Sequence, residues 1–323
     1  MISLNKNENN HKSGVFYNQT GGVALILVVW VVVVLTAIVG EFAFTMRTEI
    51  NIARNFKEEE EAYQMALAGI EKAKLELLLI NRAEVMYLGE EDMLMFGEEE
   101  DGKERPSRKA EIGKGSFEYK ITDEDGKLNI NTATDGQLKV LFHDSGIDVT
   151  EVDIIVDSIF DWKDDNDLHR INGAEEDYYK SLENPYSCKD GPFSTLEELL
   201  LVKGMTKDIL YGSKDKEEGD EEYYKGVAQY LTVYGSNLIN INTASESVLD
   251  VKLDPTNAQN IIIMRETGPI LKALAKSKIS SEYFTILSTG KNMDGSVKRT
   301  VKSVMKLLGN DLETLYWNDN FIG

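Results

Sequence analysis

The chain has 323 residues, of which 42% are hydrophobic and 28% are charged, which is enough for two domains with a sizeable core. Its net charge of −21 disfavours nucleic acid and anionic membrane surfaces as partners and favours cations. Because Cys188 is the only cysteine, an intrachain disulfide is excluded.

A long apolar run begins close to the N-terminus. No residue from Gly21 to Gly40 is charged, and a helix of this length spans the ~30 Å hydrocarbon core of a membrane. Three interpretations compete: a cleaved secretory signal, an uncleaved signal anchor, and a prepilin-type signal that is cut before the apolar run. Gly21 and Gly22 occupy the place of the third cut, while Lys6 and Lys12 give a weak positive-inside signal.

The residues after the apolar run keep a helical stripe, with spacings of three and four and one gap of seven. Its members are Phe42, Met46, Ile50, Ala53, Phe56, Tyr63, Ala66, Ile70, Ala73 and Leu77. Since residues 1–105 contain no proline, the pattern predicts one helix from Val23 to about Ile80, ~87 Å long. Its first third suits a membrane, and its remainder has one apolar face for a soluble head. The alternative is a membrane anchor followed by a separate helix.

The next segments predict a linker and a strand. Residues 89–107 are acidic and contain Gly and Pro, which is typical of a solvated loop. Residues 115–123 alternate apolar and polar side chains, which predicts a strand, and Asp125-Gly126 predicts a turn after it.

A short internal echo follows. Leu128-Asn-Ile-Asn-Thr-Ala133 matches Ile239-Asn-Ile-Asn-Thr-Ala244. The pattern predicts the end of a strand followed by a helix, with Thr132 or Thr243 as the N-cap residue. The echo indicates either two related helical modules or one domain whose beginning and end are alike.

Helices are predicted between the two copies and strands after them. The segments 149–162 and 194–205 have helical patterns; in the second, Ser194 and Glu197 form a predicted capping box and Gly204 a predicted end. In the tail, the segments 283–290 and 297–308 alternate with period two around a turn, and 312–317 is a further predicted strand.

Several stretches resemble the type IV pilin-like proteins. These are Gly22-Val-Ala-Leu25 and residues 62–73, together with the long helix. The resemblance implies a cut by a prepilin peptidase between Gly22 and Val23, and methylation of the new N-terminus. The family usually has Glu at the fifth mature position, where this chain has Leu27. That difference resembles one subfamily, the K-type minor pseudopilins of type II secretion.

The same resemblance implies the fold, an α+β protein with a large inserted domain. Its most specific stretches are Asp161-Trp162, Gly173–Glu175, Tyr178-Tyr179 and Gly191–Leu199. The expected parts are a leader (1–22), a transmembrane and stalk helix (23–80), the first part of a pilin-like head (81–127), an inserted all-α domain similar to SAM or helix-hairpin-helix modules (128–275), and C-terminal strands that complete an antiparallel sheet (276–323).

A dense acidic cluster lies in residues 161–179. Hard divalent cations bind several oxygens from a flexible loop, and the candidate ligands are Asp161, Asp164, Asp165, Asp167, Glu175 and Asp177. The spacing does not fit an EF-hand, because no Gly occupies the sixth loop position. From the residues alone, a solvated acidic loop is at least as good an interpretation. The resemblance implies calcium, because family members bind calcium in the inserted domain.

The chain shows no catalytic constellation, so no enzyme activity is expected. The resemblance implies a minor pseudopilin at the tip of the type II secretion pseudopilus, anchored once in the bacterial inner membrane with its bulk in the periplasm. It also implies other minor pseudopilins as partners. Two alternatives remain: a membrane-anchored periplasmic binding module, and a competence-type helix-hairpin-helix DNA-binding protein. The turn Gly204-Met205-Thr206 lacks the second Gly of such hairpins, and no Lys/Arg cluster accompanies it.

Overall fold

The computed structural model describes residues 20–79, 85–89, 93–97, 107–214, 219–220 and 223–321. The chain divides into two compact units, residues 1–58 and residues 59–323. Most of the leader expected at 1–22 lies outside the described residues.

The helices and strands have the following bounds. The helices are α1 (Thr20–Leu78), α2 (Asp135–Asp144), α3 (Val149–Lys163), α4 (Glu176–Lys180), α5 (Lys207–Tyr211), α6 (Glu246–Lys252) and α7 (Pro255–Arg265), with a 3-10 helix at Leu196–Leu201. The strands are β1 (Met86–Leu88), β2 (Leu94–Phe96), β3 (Lys109–Ile112), β4 (Gly115–Asp123), β5 (Leu128–Asn129), β6 (Leu231–Thr232), β7 (Ile239–Asn240), β8 (Ser277–Lys278), β9 (Tyr283–Lys291), β10 (Lys298–Leu308) and β11 (Asp311–Asn318).

Helix α1 contains both the apolar run and the striped segment without a break. This confirms the expected single helix, which begins at Thr20 and ends at Leu78. The apolar side chains from Val23 to Val39 are exposed. Among the described residues, α1 is the one helix whose length and composition would let it cross a membrane.

In the second unit, the last part of α1 lies against a sheet. Its fully buried side chains are Ala62, Ala66, Ile70, Ala73 and Leu77. They recur every three or four residues and so form one face of the helix. The predicted stripe is therefore confirmed as a packing face from Ala66 onward, whereas its members from Phe42 to Phe56 are exposed in the first unit.

The sheet has five antiparallel strands in the order β11–β10–β9–β4–β3. Its core with α1 includes Phe117, Ile121, Phe284, Ile286 and Met305. The strand predicted at 115–123 and the three strands predicted in the tail are confirmed.

Two glycines allow α1 to approach the sheet closely. A Cβ atom on Gly290 would stand 2.0 Å from the carbonyl oxygen of Ala62 and 2.3 Å from the amide nitrogen of Ala66. A Cβ on Gly69 would stand 2.2 Å from Oγ of Ser288. Helix and sheet thus meet backbone to backbone at Gly290, where only glycine fits.

A buried ion pair also connects α1 to the sheet. Arg108, with 5% of its side chain exposed, donates from Nη2 to Oε1 of Glu76 at 2.6 Å and to the carbonyl of Leu94 at 2.6 Å. The hydroxyl of Tyr119 donates to the other oxygen of Glu76 at 2.7 Å. The carboxylate is therefore satisfied on both oxygens, as a buried charge requires.

The linker predicted at 89–107 is only partly a loop. Residues 94–96 form β2, which pairs with β1 in a small antiparallel hairpin. Leu94 is buried in the core against α1. The apolar triplet Leu-Met-Phe, too short to stand out between acidic runs, is the reason that this strand forms.

The helical part of the second unit is inserted between two neighbouring strands. β4 and β9 pair directly with each other, and residues 124–282 connect them. Helices are the main regular elements of this segment, but it is not all-α as expected, because it contains the short parallel pairs β5–β6 and β7–β8. The strands predicted at the start of each copy of the echo are β5 and β7.

Both copies of the echo fold into the same turn. In the first, the amides of Thr132 and Ala133 donate to the carbonyl of Asn129. In the second, the amides of Thr243 and Ala244 donate to the carbonyl of Asn240 in the same way. These threonines therefore belong to the turn, and the predicted N-caps were wrong: the residues that cap α2 and α6 are Thr134 and Ser245.

An asparagine in each turn also forms hydrogen bonds with a segment further along the chain. The side chain of Asn131 exchanges two hydrogen bonds with the backbone of Phe193, at 3.0 and 2.8 Å. Asn242 exchanges two with the backbone of Ile270, both at 2.9 Å. Phe193 and Ile270 both follow a Gly-Pro pair. The likeness therefore extends beyond the hexapeptides, and residues 128–193 and 239–270 form two related modules, the first and the second.

Two helices follow each copy, α2 and α3 after the first and α6 and α7 after the second. A basic residue at the end of the second helix of each pair is a further similarity. Lys163, at the end of α3, donates to the carbonyl of Ile130 at 3.2 Å. Arg265, at the end of α7, donates to the carbonyls of Ile241 and Ala244. Ile130 and Ile241 occupy equivalent positions in the echo, so in both modules the basic residue donates to the carbonyl of the equivalent isoleucine.

The helix predicted at 194–205 is confirmed in part. It is a 3-10 helix, and Thr195 stands at its N-cap position without a side-chain cap. The capping box predicted for Ser194 and Glu197 was wrong, because the amide of Ser194 donates to Glu198 instead. The 3-10 helix ends at Leu201. Gly204, where the helix was predicted to end, has a φ of +85° and lies close to Ile155.

Three successive acids are buried where β4 enters the inserted segment. Asp123 accepts hydrogen bonds from the hydroxyls of Thr243 and Ser281, both at 2.6 Å. Asp125 pairs with Nζ of Lys278 at 2.6 Å. These contacts connect the end of β4 to the second module.

We expect Asp123 to make the stability of the protein depend on pH. Burial, and then the charge of Asp125, raise the pKa of Asp123 from 3.8 to about 6, so the folded state binds this proton more tightly than the unfolded chain. The free energy of unfolding of the wild type, relative to that of Asp123→Asn, should therefore fall by roughly 3 kcal/mol as the pH rises from 4 to 6. Urea titrations with a chelator present measure this difference. A difference independent of pH would contradict it.

Candidate metal centre and N-terminal processing site

The C-terminal end of α3 carries two acids on one face. Asp161 and Asp164 are three positions apart, and Asp164 is the C-cap residue. The chain then returns through a loop to Glu175, which precedes α4. One carboxylate oxygen from each of Asp161, Asp164 and Glu175 can be chosen so that all lie within 4.8 Å of one another. The fold therefore converges three carboxylates from two separate segments.

Glu175 is the unusual member of this group. It is 1% exposed, and neither of its carboxylate oxygens has a hydrogen-bond partner among the residues that the structure describes. Burial, and then the charges of Asp161, Asp164 and Asp190, raise the pKa of Glu175 to about 7. Burial also raises the pKa of Asp161. A buried carboxylate without donors is costly, and a bound cation would remove that cost.

The loop between α3 and α4 is held over Asp161. The amide of Arg170 donates to Oδ2 of Asp161 at 3.1 Å, and Asn172 donates to Asp157, one turn earlier on α3, from its amide at 3.2 Å and its side chain at 3.0 Å. A Cβ on Gly173 would stand 1.8 Å from Oδ2 of Asp161. Glycine at this position therefore lets the loop cross the carboxylate and deliver Glu175.

The other three predicted ligands lie outside the group of three. Asp165 and Asp167 are exposed on the loop. Asp177 is exposed and accepts a 2.9 Å contact from Nε2 of His169. A residue absent from the predicted set is Asp190, which forms a second group with Glu175 and Cys188.

The group of three fits a hard divalent cation. Ca²⁺ takes six to eight oxygens, so three carboxylates would be completed by backbone carbonyls and water. The donor set contains oxygen only, and Glu175 offers two buried oxygens that no protein donor uses. This observation favours a bound cation over a solvated acidic loop.

The residues expected for processing lie at the start of α1. Gly22, Val23 and Leu27 are all exposed in the first turns of this helix. Leu27 belongs to a stretch of α1 that has no charged side chain before Glu41.

One family model matches the segment that holds the acidic group. Residues 120–211 match the family model of type II secretion system (T2SS) protein K. Over these residues the chain is similar to type II secretion protein K. The matched segment begins in β4, ends with α5 and contains all six predicted metal ligands.

The fold of the chain is also found in a solved structure. It is similar to a chain of the crystal structure of the GspK-GspI-GspJ complex from the type 2 secretion system of enterotoxigenic Escherichia coli. The TM-score is 0.59 at 14% identity, over 84% of this chain and 99% of that chain. This likeness supports the mixed fold with its long N-terminal helix and antiparallel sheet. No curated protein matches the chain.

Proposed function

We propose that this chain is the minor pseudopilin at the tip of the type II secretion pseudopilus. In this role it nucleates assembly with other minor pseudopilins and contributes to protein export across the outer membrane. Its apolar helix crosses the bacterial inner membrane once, and the second unit lies in the periplasm. The solved structure similar to this chain belongs to a complex with GspI and GspJ, which supports other minor pseudopilins as partners.

The observation that carries the tip position is Leu27. A cut between Gly22 and Val23 creates a new N-terminal ammonium, which is buried among apolar helices when the subunit enters a filament. An unpaired buried charge is costly. Glu at the fifth mature position would offer a partner to a neighbouring subunit, and Leu27 cannot. A subunit at the tip has no need to offer one.

The inserted segment supports the same position. Residues 124–282, between β4 and β9, outnumber the residues of the sheet itself. So large an addition to the head is compatible with an end of the filament, where no further subunit has to stack.

The N-terminus of the membrane-extracted chain tests the processing step. Mass spectrometry of protein from cells with prepilin peptidase should give a mature chain that begins at Val23, with a methyl group on its amine. Cells without the peptidase should give an uncut chain. The same uncut N-terminus in both strains would instead favour a membrane-anchored periplasmic binding module.

Leu27→Glu tests the tip position. The added carboxylate offers a partner for a neighbour's ammonium, so we expect the variant either to enter the shaft or to be tolerated poorly. Immunogold labelling of sheared filaments measures this: wild-type label should sit at one end, and variant label should be repeated along the shaft or be lost. Leu25→Ile is the control, since it changes no charge. Wild-type label repeated along the shaft would contradict the proposal.

We also propose that Asp161, Asp164 and Glu175 bind calcium. The support is the buried carboxylate of Glu175, whose two oxygens have no donors. When bound, the cation supplies positive charge that joins the end of α3 to the start of α4. No nucleic-acid partner is proposed, and salt-sensitive binding of the full chain to DNA would reopen the competence-type alternative.

A further inference from the structure

A second group of possible ligands shares Glu175 with the first. One ligand atom from each of Glu175, Cys188 and Asp190 can be chosen so that all lie within 4.8 Å of one another. Cys188 is 7% exposed, whereas Asp190 is exposed. This group differs from the first in chemistry, because it contains a sulfur atom.

The segment that carries Cys188 and Asp190 is held on both sides. The amide of Cys188 donates to Oε2 of Glu176 at 2.7 Å. After Asp190, which has a φ of +52°, the chain reaches Phe193, whose backbone is held by Asn131. The positions of the thiol and the carboxylate are therefore set by hydrogen bonds to neighbouring parts of the fold.

The cation closest in sequence does not neutralise Asp190. Nζ of Lys189 contacts Glu198 at 2.5 Å and Oγ of Ser194 at 2.8 Å. One carboxylate oxygen each from Glu175 and Asp190 thus lies within 4.8 Å of the thiol sulfur, while Lys189 is engaged by Glu198 and Ser194.

We propose that Glu175, Cys188 and Asp190 form a second cation position that takes a thiophilic divalent ion such as Zn²⁺. Zinc binds thiolate and carboxylate ligands together, with water in a remaining place. Calcium takes oxygen ligands only, so the thiol distinguishes the two positions. Glu175 has two unpartnered oxygens, one for each position.

Binding at this position exchanges a proton for the metal. Zinc binds sulfur as the thiolate. Coordination forms the metal–sulfur bond, breaks the S–H bond and releases the proton to solvent. No electron is transferred, and no other reactant is needed.

Cobalt is the probe for this position. The full chain in detergent, with its thiol reduced and its metals removed by chelation, is titrated with Co²⁺. Thiolate-bound Co²⁺ gives a charge-transfer band in the near ultraviolet, which oxygen ligands do not give. We expect this band in the wild type and its loss on addition of Zn²⁺.

The variants separate the two positions. Cys188→Ser keeps the size of the side chain and should abolish the band and weaken Zn²⁺ binding at least about tenfold, while leaving Ca²⁺ binding unchanged. Asp164→Asn belongs to the oxygen-only group and should weaken Ca²⁺ binding while keeping the band. Circular dichroism and the melting temperature confirm that each variant is folded.

The outcomes decide this proposal independently of the pseudopilin function and of the calcium position. A wild-type protein saturated with Co²⁺ that shows no charge-transfer band overturns it. So does a band, or a Zn²⁺ affinity, that Cys188→Ser leaves unchanged. Loss of the Ca²⁺ effect alone in Asp164→Asn would leave the thiophilic position intact.

Discussion

Gly290→Ala should destabilise the second unit severely. The added Cβ would stand 2.0 Å from the carbonyl oxygen of Ala62 and 2.3 Å from the amide nitrogen of Ala66, and both are backbone atoms of α1 that cannot rotate away. Helix and strand must therefore separate along the contact that buries Ala66 and Ile70. We expect a loss of about 3 kcal/mol or more in the free energy of unfolding, measured by urea titration of the full chain in detergent.

Gly136→Ala is the matched control. Gly136 lies in α2, where an added Cβ has no heavy atom of another element within 4 Å, and alanine is the better helix former by up to about 1 kcal/mol. This variant should be as stable as the wild type or slightly more stable. Equal stabilities for Gly290→Ala and Gly136→Ala would show that the close approach of α1 to β9 is not required.

Glu175→Gln should have opposite effects with and without calcium. With a chelator present, the substitution removes a buried charge that has no donor, so we expect the free energy of unfolding to rise by roughly 1–3 kcal/mol. With calcium at about 1,000 times its dissociation constant, the wild type should gain about 4.1 kcal/mol. The variant should gain little, and the order of the two stabilities should reverse.

Asp167→Asn is the control for this reversal. Asp167 is exposed on the same loop and lies outside the group of three carboxylates, so it removes one negative charge without removing a proposed ligand. Melting temperatures recorded with calcium and with chelator should match those of the wild type. Equal stabilisation of Glu175→Gln and the wild type by calcium would refute the calcium position.

Periodicity predicted the long elements well. The apolar run and its stripe predicted α1 because every turn repeats the same signal, and the alternation at 115–123 and in the tail predicted β4, β9, β10 and β11 for the same reason. The end residues were harder to predict. Thr132 and Thr243 have the side chains of N-caps, but the turn formed around Asn129 and Asn240 uses their backbone and moves the caps two residues on.

The sequence predicted only some of the acidic side chains that lie together in the structure. Residues that are close in sequence are not always close in space. Asp161 and Asp164 lie together through the helical spacing of α3, which the sequence does contain. Asp165 and Asp167 follow immediately but lie on the exposed loop. Glu175 reaches the group only because the loop crosses Asp161 at Gly173, and Asp190 only because Phe193 is fixed by Asn131. Such tertiary contacts leave no periodic signal.

The likeness of the two modules has a consequence for how the segment 164–192 can change. In the first module, residues 164–192 connect Lys163 to Phe193, and both ends are fixed to the same turn. In the second, residues 266–269 make the equivalent connection. A loop about seven times longer costs only roughly 2 kcal/mol more in closure entropy. The short connection could therefore be grafted into the first module, to give a protein that keeps its framework and lacks the proposed ligands Asp164, Glu175 and Asp190.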